Sequence, residues 1–328
     1  MLNYGKNIIY KDYYYFYLFM QLSLDTIISA HKRIKPYIIN TPIKSDEEIN
    51  QLVGADIYFK CENMQNSGSF KFRGASNAIF SLNDKQADRG VITVSSGNHG
   101  TALSLAAKNR GINATVILPS NATPYKRNLI EKLGANIIEC EPTVESREKT
   151  LLIHQKKTQA TVIHPYNDYQ IMSGQGTISL EIIDEITDLD IIMFPIGGGG
   201  LISGNAVAIN SISPKTDIIG AEPELANDAQ QSLQNKKLIP STYPETIADG
   251  LRTSLGSKTF PIILKYIKNI YTTPEEKIIP TMNLMSKKLN NKIEPSCAVP
   301  LAAILENISF FKGKRIAIVI SGGNVSET

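Results

Sequence analysis

The chain has 328 residues, of which 42% are hydrophobic and 20% charged, as expected for a soluble globular protein of about two domains. The net charge of +3 is mild, and basic residues alternate with acidic ones, so we expect no nucleic-acid partner. Three cysteines without a CxxC pair indicate reduced thiols and a cytoplasmic location. The four histidines lack zinc-ligand spacing.

The first 19 residues are rich in aromatic side chains but also contain lysines and an aspartate, with no cleavage site. A membrane span needs about 20 predominantly apolar residues, so we expect neither a signal peptide nor a membrane helix here. We interpret residues 1–19 as a loose N-terminal extension or the product of an upstream start codon, with folding beginning near Met20.

From residue 54 onward, short β-branched runs alternate with amphipathic stretches. Strands are predicted in the runs 55–62, 90–96, 113–119, 135–140, 161–165, 189–196, 216–223 and 314–323. Helices are predicted over 98–110, 124–133 and 145–157, and Thr123 and Pro124 suit the N-cap and first position of the second helix. The alternation predicts parallel sheets covered on both faces. We expect a small mobile domain (90–167) inserted into a large one (20–89 and 168–328).

Lys71 stands between Phe70 and Phe72 in the run NSGSFKFRG. Apolar surroundings disfavour the charged form of a lysine, so its pKa falls and the amine becomes a nucleophile. The alternative is a lysine on a half-buried strand whose ammonium group reaches solvent.

Four glycines at 197–200 connect a buried strand to a helix rich in small residues. Without Cβ atoms, their backbone N–H groups can approach an anion at the start of the helix. Neither a Walker loop nor GxGxxG is present. We interpret the run as a phosphate-binding loop, and the alternative is a flexible turn without a ligand.

Two further predicted strands end in polar turns, SSGNH at 95–99 and SGGN at 321–324. The first offers hydroxyls, an amide and free N–H groups for a substrate carboxylate, although such residues also serve as simple N-caps. In open α/β sheets the carboxyl ends of strands line the ligand crevice. A reactive lysine and a phosphate-binding loop on such a fold together indicate pyridoxal 5′-phosphate.

These runs, together with GQGT, AEP, ETIADG and IEP, occur in the order typical of fold-type-II pyridoxal-phosphate enzymes. From about residue 22 to its end the chain resembles, within that class, serine racemases and catabolic serine/threonine dehydratases. The resemblance implies a tryptophan synthase β-like fold, with two open α/β domains and a cleft between them. It also implies a homodimer.

The resemblance implies roles for the cofactor-site residues. Lys71, next to Phe70, would bind the cofactor covalently, Asn98 would bond the ring hydroxyl, and Ser321 the pyridine nitrogen. A neutral hydroxyl there would leave that nitrogen largely unprotonated, which suits elimination and racemisation better than transamination. The phosphate would be held by the backbone N–H groups of Gly197, Gly198, Gly199, Gly200 and Leu201.

Ser96 is the most informative residue for the reaction, because racemisation needs one base on each face of the substrate carbanion. In racemases that this chain resembles, a serine at the matching position faces the lysine across the cofactor, whereas typical bacterial threonine dehydratases carry alanine. Some hydroxyaspartate dehydratases also have the serine, and capping is its alternative role. The substrate would contact Ser95, Ser96, Gly97, Asn98, His99 and Arg147.

The run AEPELANDAQ resembles the divalent-cation loop of this class. Glu222 and Asp228 would supply carboxylate oxygens and Ala226 a carbonyl to Mg²⁺, or to Ca²⁺ or Mn²⁺. The alternative is two solvated acids. Thr101, Leu133 and Lys288 depart from the nucleotide site of animal racemases, so we do not expect activation by ATP. The sequence ends at Thr328, so we expect neither a C-terminal regulatory domain nor feedback control by isoleucine. The final short segment of this class is also missing, so we expect a truncated C-terminus.

We therefore predict a pyridoxal-phosphate-dependent serine racemase that also acts as a serine/threonine ammonia-lyase. It would interconvert L- and D-serine and form pyruvate or 2-oxobutanoate plus ammonia. One alternative is a serine/threonine or 3-hydroxyaspartate dehydratase without significant racemisation. Another is a non-catalytic ligand-sensing protein on the same fold.

Overall fold

The computed structural model describes residues 21–95, 97–242 and 244–325; the predicted extension at 1–19 lies outside them. In these ranges the chain alternates between strands and helices. The strands are β1 (Ile43–Lys44), β2 (Asp56–Cys61), β3 (Val91–Val94), β4 (Ala114–Pro119), β5 (Asn136–Cys140), β6 (Thr161–Val162), β7 (Ile191–Pro195), β8 (Asp217–Pro223), β9 (Asn269–Thr273) and β10 (Arg315–Ile320).

The helices cover both sheets, and within the described ranges none is long and apolar enough to cross a membrane. They are α1 (Leu24–Ile34), α2 (Glu47–Val53), α3 (Lys71–Phe80), α4 (Asp84–Asp88), α5 (Asn98–Arg110), α6 (Pro124–Lys132), α7 (Val144–Thr158), α8 (Tyr169–Glu185), α9 (Gly200–Ile212), α10 (Asp228–Asn235), α11 (Phe260–Tyr266), α12 (Glu275–Leu289), α13 (Pro295–Glu306) and α14 (Ile308–Phe311).

The strands form two sheets, one of six strands in the order β1-β2-β10-β7-β8-β9 and one of four in the order β5-β4-β3-β6. The pairing is parallel except between β1 and β2. Along β7, Ile192 and Phe194 enter the core on one face and Ile191 and Met193 the core on the other, as the period of two requires. The predicted parallel α/β class is confirmed.

The predicted strands and helices are found close to their expected positions, and Thr123 caps α6 through its hydroxyl. The sequence reading missed β1 and β9, which are the two edges of the six-stranded sheet. β1 has only two residues and β9 is partly exposed, so neither shows the continuous apolar run of a buried strand. The four-stranded sheet lies within residues 90–167, but the division into domains stays a prediction.

Helices α3, α8 and α9 pack too closely to admit side chains at their contacts. A Cβ on Gly204 of α9 would lie 1.9 Å from the carbonyl oxygen of Met172 in α8, and one on Gly74 of α3 would lie 2.8 Å from the carbonyl oxygen of Ile171. This packing holds the helix that begins with Lys71 and the helix that follows the glycine run against the same neighbour.

A buried ionic cluster anchors the first turn of α3. The guanidinium group of Arg73, fully buried, donates to both carboxylate oxygens of Glu62 at 2.8 Å and to both of Glu181 at 2.6 and 2.7 Å. Lys60 also contacts Glu181, at 2.7 Å. Burial alone would lower the pKa of Arg73, but the two carboxylates raise it overall. Each charge is therefore paired, as burial demands.

Replacing Arg73 by Met should leave two buried carboxylates without their main partner. Removing one member of a buried ion pair typically costs about 3–5 kcal/mol, and we expect a loss of this size in the free energy of unfolding, measured by urea denaturation. Lys277→Met, at the exposed pair with Glu306, is the matched control and should change little. A loss for Arg73→Met below about 1 kcal/mol would contradict a structural role for the cluster.

Candidate active site

A cavity of about 190 Å³ lies between the two sheets, at the carboxyl ends of their strands. Its wall includes Ser95 after β3, Pro165 shortly after β6, Gly197 after β7 and Ser321 directly after β10. This is where an open α/β sheet binds its ligand. The turns that the sequence singled out thus meet at one place.

Lys71 is the first residue of α3 and faces the cavity, which excludes the half-buried-strand interpretation. Its Nζ donates to the carbonyl oxygen of Pro165 at 3.0 Å and lies 5.0 Å from the ring centroid of Phe70. Desolvation by the surrounding protein lowers its pKa to about 8. A substantial fraction of the amine is therefore neutral near physiological pH.

The turn before Lys71 is joined to the turn after β10. Phe70 N donates to the carbonyl oxygen of Ser321 at 3.0 Å, and Gly323 N donates to that of Gly68 at 2.9 Å. Gly68 has a φ of +73°, a conformation that glycine adopts without strain. These backbone bonds place the lysine and Ser321 on one wall of the cavity.

The glycine run at 197–200 is tightly enclosed rather than a loose turn. A Cβ on Gly198 would lie 2.4 Å from the ring of Tyr166, and one on Gly197 would lie 2.8 Å from the carbonyl oxygen of Gly250. Gly199 has a φ of +84° and precedes α9. The run and Leu201 line the cavity, where the first N–H groups of α9 have no acceptor within the helix.

Asn98, at the start of α5, is held by two other side chains. Its Nδ2 donates to both carboxylate oxygens of Glu294 at 2.9 Å, and its Oδ1 accepts from Asn324 at 2.8 Å. Burial raises the pKa of Glu294, an effect that the charge of Lys126 opposes. The amide of Asn98 is thus fixed in orientation at the cavity wall.

The turn at 95–99 combines capping with exposure to the cavity. The hydroxyl of Ser95 accepts from Gly97 N at 3.2 Å and Gly100 N at 2.9 Å, so it caps α5. Burial lowers the pKa of His99 to about 3, so this imidazole is neutral. Ser96 lies outside the described residues.

Ser321 and Arg147 also line the cavity. The hydroxyl of Ser321 lies 3.3 Å from the sulfur of Cys297, and burial raises the pKa of that thiol to about 12, so the neighbour is a neutral thiol. The Nε of Arg147 has no hydrogen-bond partner among the described residues. The hydrogen-bonding capacity of this atom is therefore unused within the described part of the chain.

The predicted cation loop lies at the end of β8 and the start of α10. Glu222 is buried, and both its oxygens accept backbone N–H groups. Asp228 Oδ1 has no partner among the other described residues. Burial, followed by the charge of Asp228, raises the pKa of Glu222. In the described part of the chain no three His, Cys, Asp or Glu side chains form a metal cluster. The donors that this loop offers are the two carboxylates and the carbonyl oxygen of Ala226.

Several cavity residues received no role from the sequence. Glu294 belongs to the IEP run, Asp249 to ETIADG and Tyr166 to the turn before α8. The runs IEP and ETIADG supported the resemblance, and that was the signal available for Glu294 and Asp249. Lys126 gave no signal, because its position on α6 looks like an ordinary solvated one.

The family model described as pyridoxal-phosphate dependent enzyme matches residues 34–322. The chain belongs to this family. It is similar to a serine racemase of Arabidopsis thaliana, at 47% identity over 306 residues and 92% of each chain. It is also similar to a beta-hydroxyaspartate dehydratase of Paracoccus denitrificans (strain Pd 1222), at 44% identity over 92% of this chain and 96% of that protein.

Among solved structures, the crystal structure of serine racemase from Dictyostelium discoideum has a TM-score of 0.90 at 42% identity, covering 94% of this chain and 100% of that one. These similarities confirm the predicted fold-type-II class. They also confirm pyridoxal 5′-phosphate as the cofactor of the chain. The cavity fits that group, since it offers an amine with a lowered pKa and is lined by a run of four glycines, whose backbone carries no side chains.

The lowered pKa of Lys71 can be measured directly in the apoprotein. Acylation of the neutral amine, followed residue by residue by mass spectrometry, should show an apparent pKa of about 8. The reactivity should increase as the pH rises through that value and then level off. The same peptide labelled in denaturant is the control, with an ordinary lysine pKa of about 10.4. A native profile at the denatured value would contradict the proposed desolvation.

Proposed function

We propose that the chain is a serine racemase that also releases ammonia from serine and threonine. The observation that carries the proposal is a single cavity in which the Lys71 amine, the glycine run, Asn98 and Ser321 meet. Relatives described as serine racemase, at 47% identity and lower, support the same reaction.

Each group on the cavity wall would hold one part of the cofactor. The N–H groups of residues 197–201 would bind the phosphate, Lys71 the aldehyde carbon beside Phe70, Asn98 the ring hydroxyl and Ser321 the ring nitrogen. When bound, pyridoxal phosphate withdraws electrons from the substrate Cα and so makes its proton acidic. The neutral thiol beside Ser321 adds no charge near the ring nitrogen.

The chain's own residues would then move the proton. The Lys71 amine takes it from Cα on one face, which requires the neutral form that desolvation favours. The hydroxyl of Ser96 would return a proton on the opposite face and so give D-serine. Loss of the β-hydroxyl instead leads, after hydrolysis, to pyruvate from serine or 2-oxobutanoate from threonine, with ammonia.

The substrate carboxylate would bind at the start of α5. The N–H groups of Asn98 and His99 there have no acceptor within the helix and carry the positive end of the helix dipole, and residues 95–99 supply polar contacts. Arg147, whose Nε is free among the described residues, would add a cation. Closure of residues 90–167 over the substrate would exclude water.

A paired assay tests this division of roles. With L-serine as substrate, Ser96→Ala should lower D-serine formation by about 100-fold, as expected for a lost general acid–base group, while pyruvate formation persists. Lys71→Ala should abolish both products and the visible absorption of the bound cofactor. Unchanged D-serine formation in Ser96→Ala would contradict the two-base assignment, and a colourless, inactive wild type would contradict the enzyme proposal.

A dehydratase acting on 3-hydroxyaspartate is the second candidate. The similarity to the Paracoccus denitrificans beta-hydroxyaspartate dehydratase covers nearly that whole protein. Two charged residues on the cavity wall, Lys126 and Asp249, also have no role in the racemase reaction proposed above. If the wild type forms no D-serine but releases ammonia from 3-hydroxyaspartate, this candidate replaces racemisation.

We also propose a Mg²⁺ site, with Ca²⁺ and Mn²⁺ as alternatives, formed by Glu222, Asp228 and the carbonyl of Ala226, with water completing the shell. The unpartnered Oδ1 of Asp228 and the mutual repulsion of the two acids support it. From the resemblance we further propose a homodimer. The buried free thiols of Cys61, Cys140 and Cys297 support a reducing, cytoplasmic location.

Magnesium should raise the melting temperature of the protein by a few degrees. At a concentration about 100 times the Kd, binding adds about 2.7 kcal/mol to the free energy of unfolding. Asp228→Asn should abolish the shift, whereas Glu224→Gln, an exposed acid in the same loop, should retain it. Equal shifts in the two variants would place the cation elsewhere.

A further inference from the structure

An ion pair crosses the cavity between the two sheets. Lys126 lies in α6, beside the four-stranded sheet, and its Nζ pairs with Oδ2 of Asp249. Asp249 lies in a short turn between β8 and β9 of the six-stranded sheet. Both side chains line the cavity, and the Lys126 side chain is 10% exposed against 43% for Asp249. The cation is thus buried, while its partner has access to water.

The ammonium group of Lys126 lies against the turn proposed to bind the substrate carboxylate. A Cβ added to Gly97 would be 3.3 Å from Lys126 Nζ. Lysine carries its charge on a flexible stem, so a small rotation can move this ammonium group from one carboxylate to another. Asp249, being partly exposed, can be rehydrated at low cost when the lysine leaves it.

Among the charged groups at the cavity, Lys126 is the one that can exchange its present partner for a substrate carboxylate. Lys71 is committed to the cofactor, and Glu294 is held by Asn98 and Asn324. The N–H groups at the start of α5 and Arg147 are already assigned to the first substrate carboxylate. A substrate with a second carboxylate needs one more cation, because an unpaired buried charge is strongly disfavoured.

We propose that the Lys126–Asp249 pair sets the discrimination between β-hydroxy amino acids with one carboxylate and those with two. Lys126 binds the second carboxylate of a substrate such as 3-hydroxyaspartate, and Asp249 competes with that carboxylate for the same ammonium group. The inference rests on the proposed function, since it assumes that the cavity binds β-hydroxy amino acids.

The test compares kcat/KM for ammonia release from 3-hydroxyaspartate with that from L-serine in the holoenzyme. Lys126→Gln should lower the ratio of the first to the second by about tenfold or more, since a charge-assisted hydrogen bond to the second carboxylate is lost. Asp249→Asn should raise the ratio several-fold, because Lys126 loses its competitor. Lys126→Arg, which keeps the charge, should stay near the wild-type ratio.

Two matched controls separate this effect from general loss of surface charge. Arg127→Gln removes the neighbouring cation, which pairs with Glu131 and Glu139 on the exposed side of α6, and Asp217→Asn removes the acid of a surface pair with Lys268. Neither should change the ratio. Equal losses of kcat/KM for both substrates in Lys126→Gln would overturn the proposal. An unchanged ratio in Asp249→Asn would overturn it as well, because Asp249 is exposed and its substitution should not disturb folding.

A binding measurement distinguishes failure of this inference from failure of the proposed function. Succinate, with two carboxylates, and butanoate, with one, are titrated into the holoenzyme by calorimetry. Lys126→Gln should weaken the binding of succinate about tenfold and leave that of butanoate unchanged. This result with an inactive wild type would contradict only the proposed reaction. Equal weakening for both ligands would overturn the role of Lys126 even in an active enzyme.

Discussion

The buried cluster around Arg73 is the constraint on which the active site depends. Through Arg73, two residues after Lys71, it joins the end of β2, with Lys60 and Glu62, to the C-terminal half of α8, with Glu181. A guanidinium group paired with two carboxylates in fork geometry tolerates little displacement. The first turn of α3, and with it the amine of Lys71, is therefore fixed relative to the six-stranded sheet.

The lowered pKa of Lys71 follows from desolvation rather than from a neighbouring cation. Burial is the cause that lowers the pKa of Lys71, and a neutral acceptor, the carbonyl oxygen of Pro165, receives its hydrogen bond. The nearby imidazoles of His99 and His164 are also driven to the neutral form by burial. The cavity thus disfavours charge on the titratable groups near Lys71, whereas Lys126 and Asp249 on its wall form an ion pair.

The two sheets contribute different functions to the cavity. The six-stranded sheet supplies the wall with Lys71, the glycine run and Ser321. The four-stranded sheet supplies the turn at 95–99, which includes Asn98, and the cations Lys126 and Arg147. Polar bonds such as Asn98–Glu294 and the Lys126–Asp249 pair connect the two halves. A relative movement of the sheets would consequently break these bonds, including those of Asn98, the residue proposed to bond the ring hydroxyl of the cofactor.

The sequence by itself determined the α/β class, most strands and helices, and the cofactor, because parallel strands buried on both faces read as apolar runs and the lysine and glycine motifs are local in the chain. It missed β1 and β9, whose edge positions require no apolar run. It could not place Glu294 against Asn98, or Lys126 against Asp249, since these partners are 196 and 123 residues apart. Only the tertiary structure decided which charges meet at the cavity, because contacts between distant segments depend on how the two sheets pack rather than on any local pattern.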